Sequence, residues 1–208
     1  MSVRRFPRVT LYDRAWEAQA LSVRHLTRTE LEAGLEAIRS APRDGGIVQM
    51  IVRRPATGER EILERGEVDI VEGLVGDTWR SRRNPHTPDG LPHPETQVTI
   101  MGARAIALMA TDTSRWPLAG DQLFVDLDLG LENLPPGTRL EIGSALLEVS
   151  AEPHTGCGKF MQRFGVDAMK FVNSPVGRTL CLRGINAKVV RNGVIRLGDT
   201  ARKDQVLR

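Results

Sequence analysis

The chain has 208 residues, 40 % hydrophobic and 26 % charged, with a net charge of +3. This is an ordinary globular balance, long enough for one domain with a sizeable core. No apolar run reaches membrane-spanning length, and the basic N-terminus has no apolar segment behind it, so no transmembrane helix, no signal peptide and a cytoplasmic location are expected.

Two cysteines, Cys157 and Cys181, make no disulfide framework and are expected as free thiols. Only four of the 29 basic residues are lysine. The arginine excess either suits bidentate binding of phosphate or carboxylate or reflects genome composition. Aromatics are 4 % and no basic block interleaves with them, so a nucleic-acid surface is not expected.

Residues 1–45 read as an extension. Leu31, Leu35 and Ile38 have helical spacing, with Thr27 or Thr29 as N-cap, and Pro42 to Gly46 ends the helix. From Gly46 the pattern turns to strands. Ile47 to Val52 is rich in β-branched residues, and Glu59 to Leu63 is placed to pair with it across Pro55 to Gly58. Val68 to Val71 is a short strand leading into Gly73-Leu74-Val75-Gly76-Asp77. Residues 80–95 form a long irregular loop with Arg80, Arg82, Arg83, His86 and His93, a length that marks functional or disordered segments.

Gln97 to Met101 reads as a strand, Ala103 to Ala110 as a helix, and Gln122 to Leu127 as a strand. Pro135-Pro136-Gly137 is a turn before Arg139 to Ile142, and Ala145 to Val149 is a further strand. Short helices are expected at Phe160 to Phe164 and Asp167 to Phe171. Leu180 to Val190 reads as a strand, joined by an Arg191-Asn192-Gly193 hairpin to Val194 through Leu197. Many short strands between Gly/Pro turns, with a few short helices, indicate a mostly β, barrel-like domain.

The stretch Glu152-Pro153-His154-Thr155-Gly156-Cys157-Gly158-Lys159-Phe160 carries the strongest chemical signal. Glycine permits close backbone approach to a ligand, and neighbouring positive charge favours the nucleophilic, metal-binding thiolate. A buried strand position would need neither, so Cys157 is read as a functional thiol, the alternative being a loop cysteine of no consequence.

From His154 to Asp199 the chain resembles the C-terminal half of a MOSC domain, the family named for the molybdenum cofactor sulfurase C-terminus. The pieces are the Cys157 loop, Phe171-Val172-Asn173-Ser174, Leu182-Arg183-Gly184-Ile185, and Gly193 through Asp199. Upstream, Gly73 to Asp77 resembles the family's G-x-x-G-D turn, Gly120-Asp121-Gln122-Leu123 its central G-[DE]-N-[LI] element, and Leu140-Glu141-Ile142-Gly143 the following strand. Gln122 stands where the family usually has Asn, and the T-G-C-G-K loop also departs from its better studied members. The resemblance implies residues 46–203 as a short, stand-alone MOSC-like β-barrel domain behind a helical extension, 1–45.

It further implies a cleft for the molybdenum cofactor (molybdopterin), an anionic pterin, beside a small-molecule substrate. Cys157 would then ligate molybdenum, for reduction of N-hydroxylated compounds with a separate electron donor, or carry a persulfide for sulfur transfer from a sulfur donor. At family level, pyridoxal phosphate binding is also implied. Lys159 and Arg163 would lower the thiol pKa and bind the pterin phosphate, or stand as solvated charges. Arg80 with Arg82 and Arg83 forms either a phosphate-binding edge or a solvated loop. His154 is a catalytic partner for Cys157 or a locally bonded loop histidine. The resemblance alone makes Asn173 a pocket residue. His86 and His93 lack metal-ligand spacing, and Cys181 reads as a structural thiol on a strand. The rival function is a non-catalytic module that binds a cofactor or small metabolite; a cysteine hydrolase lacks a signature for its triad.

Overall fold

The computed structural model describes residues 24–83 and 87–204. Eleven strands lie among them: β1 (Gly46–Arg53), β2 (Glu61–Leu63), β3 (Arg65–Asp69), β4 (Gly73–Leu74), β5 (Val98–Gly102), β6 (Leu123–Asp126), β7 (Arg139–Ile142), β8 (Ala145–Val149), β9 (Ile185–Arg191), β10 (Gly193–Arg196) and β11 (Thr200–Lys203). The main sheet runs β11-β7-β8-β9-β5-β6-β1-β2 and closes on itself through β11 and β1. Seven strands therefore form a barrel, and β2 extends β1 beyond it. Closure removes the open edges that a flat sheet would expose.

The pairs are antiparallel except β5 with β6, which are parallel. Parallel neighbours need a crossover, and helix α3 (Ala103–Ala110) with the 3-10 helix Thr113–Ala119 supplies it. α3 buries Ala103, Ile106 and Met109 against the sheet.

Strand alternation sorts the core into two. On β6, Leu123 and Val125 join one cluster and Phe124 the other. On β5, Val98 and Ile100 face in and Met101 faces the helices. A register shift between Val48 and Met50 lets β1 feed both cores, with Val48 and Ile51 inside and Met50 and Val52 outside. The outer core is closed by helices α4 (Gly158–Phe164) and α5 (Val166–Val172), which contribute Phe160, Phe164 and Phe171.

Residues 24–45 hold α1 (Arg28–Ala33) and α2 (Leu35–Arg39). Thr27 caps α1 in a capping box with Glu30, and Leu31 is fully buried in the outer core. The Arg28 N–H donates to Asp167 of α5 at 3.2 Å. This segment thus braces the helix pair that follows Cys157. Among the described residues no helix is long and apolar enough to cross a membrane.

Two local expectations fail. Leu180 to Gly184 is not strand: α6 (Pro175–Thr179), capped by Ser174, precedes a turn in which Cys181 has φ 48°, and β9 begins only at Ile185. Cys181 is accordingly a turn residue. The Asn192-Gly193 signal makes no two-strand hairpin either. β10 leaves β9 and pairs with β3, in a three-stranded sheet with β4. Asn192 instead accepts the Ile70 N–H through its side chain at 2.8 Å and donates to Asp69.

Candidate functional site: a cationic cavity with an exposed thiol

The barrel, the crossover, the loop after β8 and the segments around residues 56–60, 79–83 and 92–96 border an open cavity of ≈ 620 Å³. Cys157 reaches it as the N-cap residue of α4. Its backbone is extended, with φ −113° and ψ 178°, and its side chain makes no capping hydrogen bond. The residue is exposed. The thiol is therefore available to a ligand rather than spent on the helix end.

Asn173, the C-cap of α5, holds this loop from below by two hydrogen bonds to Gly156. It lies outside the cavity lining. Its place is one residue behind the thiol, on the backbone.

The charged lining has one sign. Among the described residues, six arginines (54, 60, 82, 83, 163 and 183) and Lys159 border the cavity, and no carboxylate does. Several are built in place. Arg54, with its side chain 9 % exposed, makes a forked pair with the fully buried Asp77 at 2.8 Å on each arm and donates to the Gly120 carbonyl at 2.8 Å. Asp77 is the end of the Gly73–Asp77 turn, where Gly73 and Gly76 both have positive φ. Arg60 and Arg163 donate to the carbonyls of Pro117 and Leu118 in the crossover, at 3.2 and 2.8 Å. Arg82 donates to the Thr78 hydroxyl at 2.9 Å. Burial pulls its pKa below the ordinary guanidinium value, as does nearby Arg54, and Asp77 opposes both. Arg80 lies apart: its guanidinium donates to the Val71 carbonyl at 3.2 Å and does not line the cavity.

At the back wall Asp121 is fully buried and shared. Its Oδ2 accepts from Arg183 at 2.7 Å, and its Oδ1 lies 3.4 Å from His154 Nδ1. Arg183 also donates to the Ala119 carbonyl at 2.9 Å and lies over the Phe160 ring, 5.0 Å from its centroid. Burial pushes His154 down to about 3, Arg183 adds to the depression, and Asp121 only partly opposes it. His154 is thus a neutral imidazole at neutral pH, suited to exchange a hydrogen bond but not to act as a fixed cation.

Cys157, His154, Lys159 and Arg163 come together on this cavity, with Arg82, Arg83 and His93 beside them; His86 lies outside the described residues. The chain-remote Arg54, Arg60 and Arg183 were not singled out as site residues by sequence reasoning. Their signal was limited to motif context, Arg183 within Leu182-Arg183-Gly184-Ile185 and Asp77 within the G-D turn. Gln122, the departure from the family pattern, is wholly buried. Its side chain accepts the Thr99 N–H at 2.8 Å and donates to the Gln97 carbonyl at 3.2 Å, so it ties β5 to β6.

Several solved structures are similar, among them the following three. A protein described only as hypothetical matches at 18 % identity over 83 % of this chain and 71 % of its own, with a TM-score of 0.53. YuaD of Bacillus subtilis matches at 16 % identity over 77 % of this chain and 97 % of its own, with a TM-score of 0.51. YiiM of Escherichia coli matches at 16 % identity over 77 % and 71 %, with a TM-score of 0.50. YuaD and YiiM are MOSC-domain proteins, and the barrel agrees with the MOSC fold. At this identity the likeness is one of fold alone. No protein-family model matches the chain, and no curated protein does.

Proposed function

We propose that the cavity binds an anionic, phosphate-bearing cofactor of the molybdopterin class, and that Cys157 is the residue through which its chemistry is carried out. The observation that carries the reading is an exposed thiol opening onto a cavity bordered, among the described residues, by seven cationic side chains and no carboxylate. Arginine forks suit phosphate oxygens, and a soft thiolate suits a metal such as molybdenum.

The donor set fits such a group. Among the described residues no cluster of three His, Cys, Asp or Glu side chains could hold a bare metal ion. A metal met by Cys157 alone must therefore arrive already chelated, as it does in a pterin cofactor. When bound, that group supplies two-electron chemistry at the metal. The chain's own part is to present the thiolate, to hold the anionic end on the arginine wall, and to place the neutral His154 for hydrogen bonding.

Two uses of the thiol share this geometry: metal ligation in reduction of an N-hydroxylated compound, served by an electron donor, and persulfide carriage served by a sulfur donor. Molybdenum analysis of protein made in a host rich in the cofactor separates them. Near-stoichiometric molybdenum in the wild type, lost in Cys157→Ser, supports ligation. Absence of molybdenum from both sinks the metal reading, and a persulfide mass on Cys157 would then support sulfur transfer. Neither signal would leave non-catalytic binding of an anionic metabolite.

A further inference from the structure

Asp121 is fully buried, and its two oxygens meet different partners. Oδ2 accepts from Arg183 at 2.7 Å, and Oδ1 lies 3.4 Å from His154 Nδ1, at the long end of hydrogen-bonding range. Oδ1 and Nδ1 are both buried, and neither has a hydrogen bond elsewhere among the described residues. A carboxylate only accepts, so the two atoms satisfy each other only when the imidazole carries a proton on Nδ1. Burial and the positive charges of Arg183 and Arg54 keep the ring from taking a second proton, with Asp121 opposing them. A neutral ring protonated on Nδ1 leaves Nε2 with a bare lone pair.

The Nδ1 edge is turned to Asp121. The 17 % of the side chain that stays exposed borders the cationic cavity and a smaller one beside it. Arg54, whose charge acts on the ring, borders the first alone. Of the nitrogen-bearing side chains described there, the arginines, Lys159 and Trp79 only donate. His93, the other imidazole, already accepts the Glu95 N–H at 3.3 Å through Nδ1, and its Nε2 lies 3.7 Å from Glu152.

We propose that His154, held as this tautomer by Asp121, selects the anion that the cavity binds. Nε2 accepts a hydrogen bond from an O–H or N–H of the ligand while the arginines hold its charge. The preferred ligand is an oxyanion that also donates, such as hydrogen phosphate or a phosphate ester bearing an N–H group. An oxyanion that only accepts, such as sulfate, is disfavoured. Asp121 acts through His154 as a positioning residue. This role rests on the cavity being the anion site proposed above.

The test uses the full chain and two oxyanions of similar size and equal charge, inorganic phosphate and sulfate, at constant ionic strength and a mildly alkaline pH where phosphate is the singly protonated dianion. Chemical-shift titration reads the affinities. Long-range proton–nitrogen NMR on labelled histidine reads the tautomer, with His154 assigned by its loss in His154→Phe. The wild type is expected to carry the His154 proton on Nδ1 and to bind phosphate about tenfold more tightly than sulfate, the worth of one hydrogen bond. In Asp121→Asn the amide oxygen stays with Arg183 and the amide nitrogen turns to Nδ1. The ring proton then moves to Nε2, as it does when the Asp of a catalytic triad becomes Asn, and the preference for phosphate is expected to vanish or reverse. His154→Phe removes the acceptor with Asp121 in place, and is expected to abolish the preference by a route independent of the buried carboxylate. Equal affinities in the wild type, a ring protonated on Nε2, or a preference that survives His154→Phe would overturn the proposal. Binding of neither anion would overturn it together with the anion site, whereas molybdenum loading alongside equal phosphate and sulfate affinities would overturn the role of His154 alone.

Discussion

Asn173 grips Gly156 with both ends of its amide: its Oδ1 accepts the Gly156 N–H at 3.0 Å and its Nδ2 donates to the Gly156 carbonyl at 3.1 Å. The approach is close enough that a Cβ on Gly156 would lie 2.9 Å from Val172 Cγ2. The residue before the thiol is therefore fixed by the side chain that caps the end of α5. Asn173→Ala should cost about 1–3 kcal/mol, two net hydrogen bonds, read by urea denaturation. Asn173→Asp should fare no better, because its second oxygen would face the Gly156 carbonyl. A stability equal to wild type in both variants would refute the clamp.

The same clamp and the free N-cap geometry should make Cys157 the reactive cysteine. Burial, with Asp128 nearby, pushes the Cys181 thiol up to about 11. Limited iodoacetamide treatment at mildly alkaline pH should give one adduct, at Cys157, at a rate at least about tenfold above Cys181. Pyrophosphate should slow it. Peptide mapping by mass spectrometry reads the site, and first labelling at Cys181 would contradict the assignment.

The Arg54–Asp77 pair sits beneath the cavity wall with Asp77 fully buried. Arg54→Met leaves that carboxylate without its fork, at an expected cost of about 3–5 kcal/mol. Adding Asp77→Asn should recover part of the loss, since the buried charge goes with it. A single-variant penalty under about 1 kcal/mol would show that the pair behaves as an exposed one.

Acid should weaken the fold through His154. Its folded pKa, about 3, lies below the ordinary 6.5, so the unfolded chain binds the proton more readily. The contribution is complete above about pH 6.5 and is lost progressively as pH falls towards about 3. Melting temperatures across that window should decline less in His154→Gln than in wild type. Parallel curves for the two proteins would remove His154 as the source.

What the sequence determined by itself is local. An N-cap at Thr27 or Thr29, the α3 span, the β7 and β8 strands, the α4 and α5 helices and the prominence of Cys157 all depend on contacts within a few residues, where periodicity and capping act. Barrel-like character was legible too, because frequent turns and alternating apolar residues leave few other layer arrangements. Only the tertiary structure decided which strand β10 joins. The Asn192-Gly193 turn signal is the same whether the next strand folds back on β9 or, as here, reaches β3 more than a hundred residues earlier. It also decided Leu180 to Leu182, whose apolar alternation suits a strand and is overridden by the α6 turn. The cationic wall is the clearest case. Arg54, Arg82, Arg163 and Arg183 are far apart in the chain, and in the sequence nothing marks any one of them as a site residue by itself. They share one sign at one cavity because barrel closure and buried partners such as Asp77 and Asp121 hold them there.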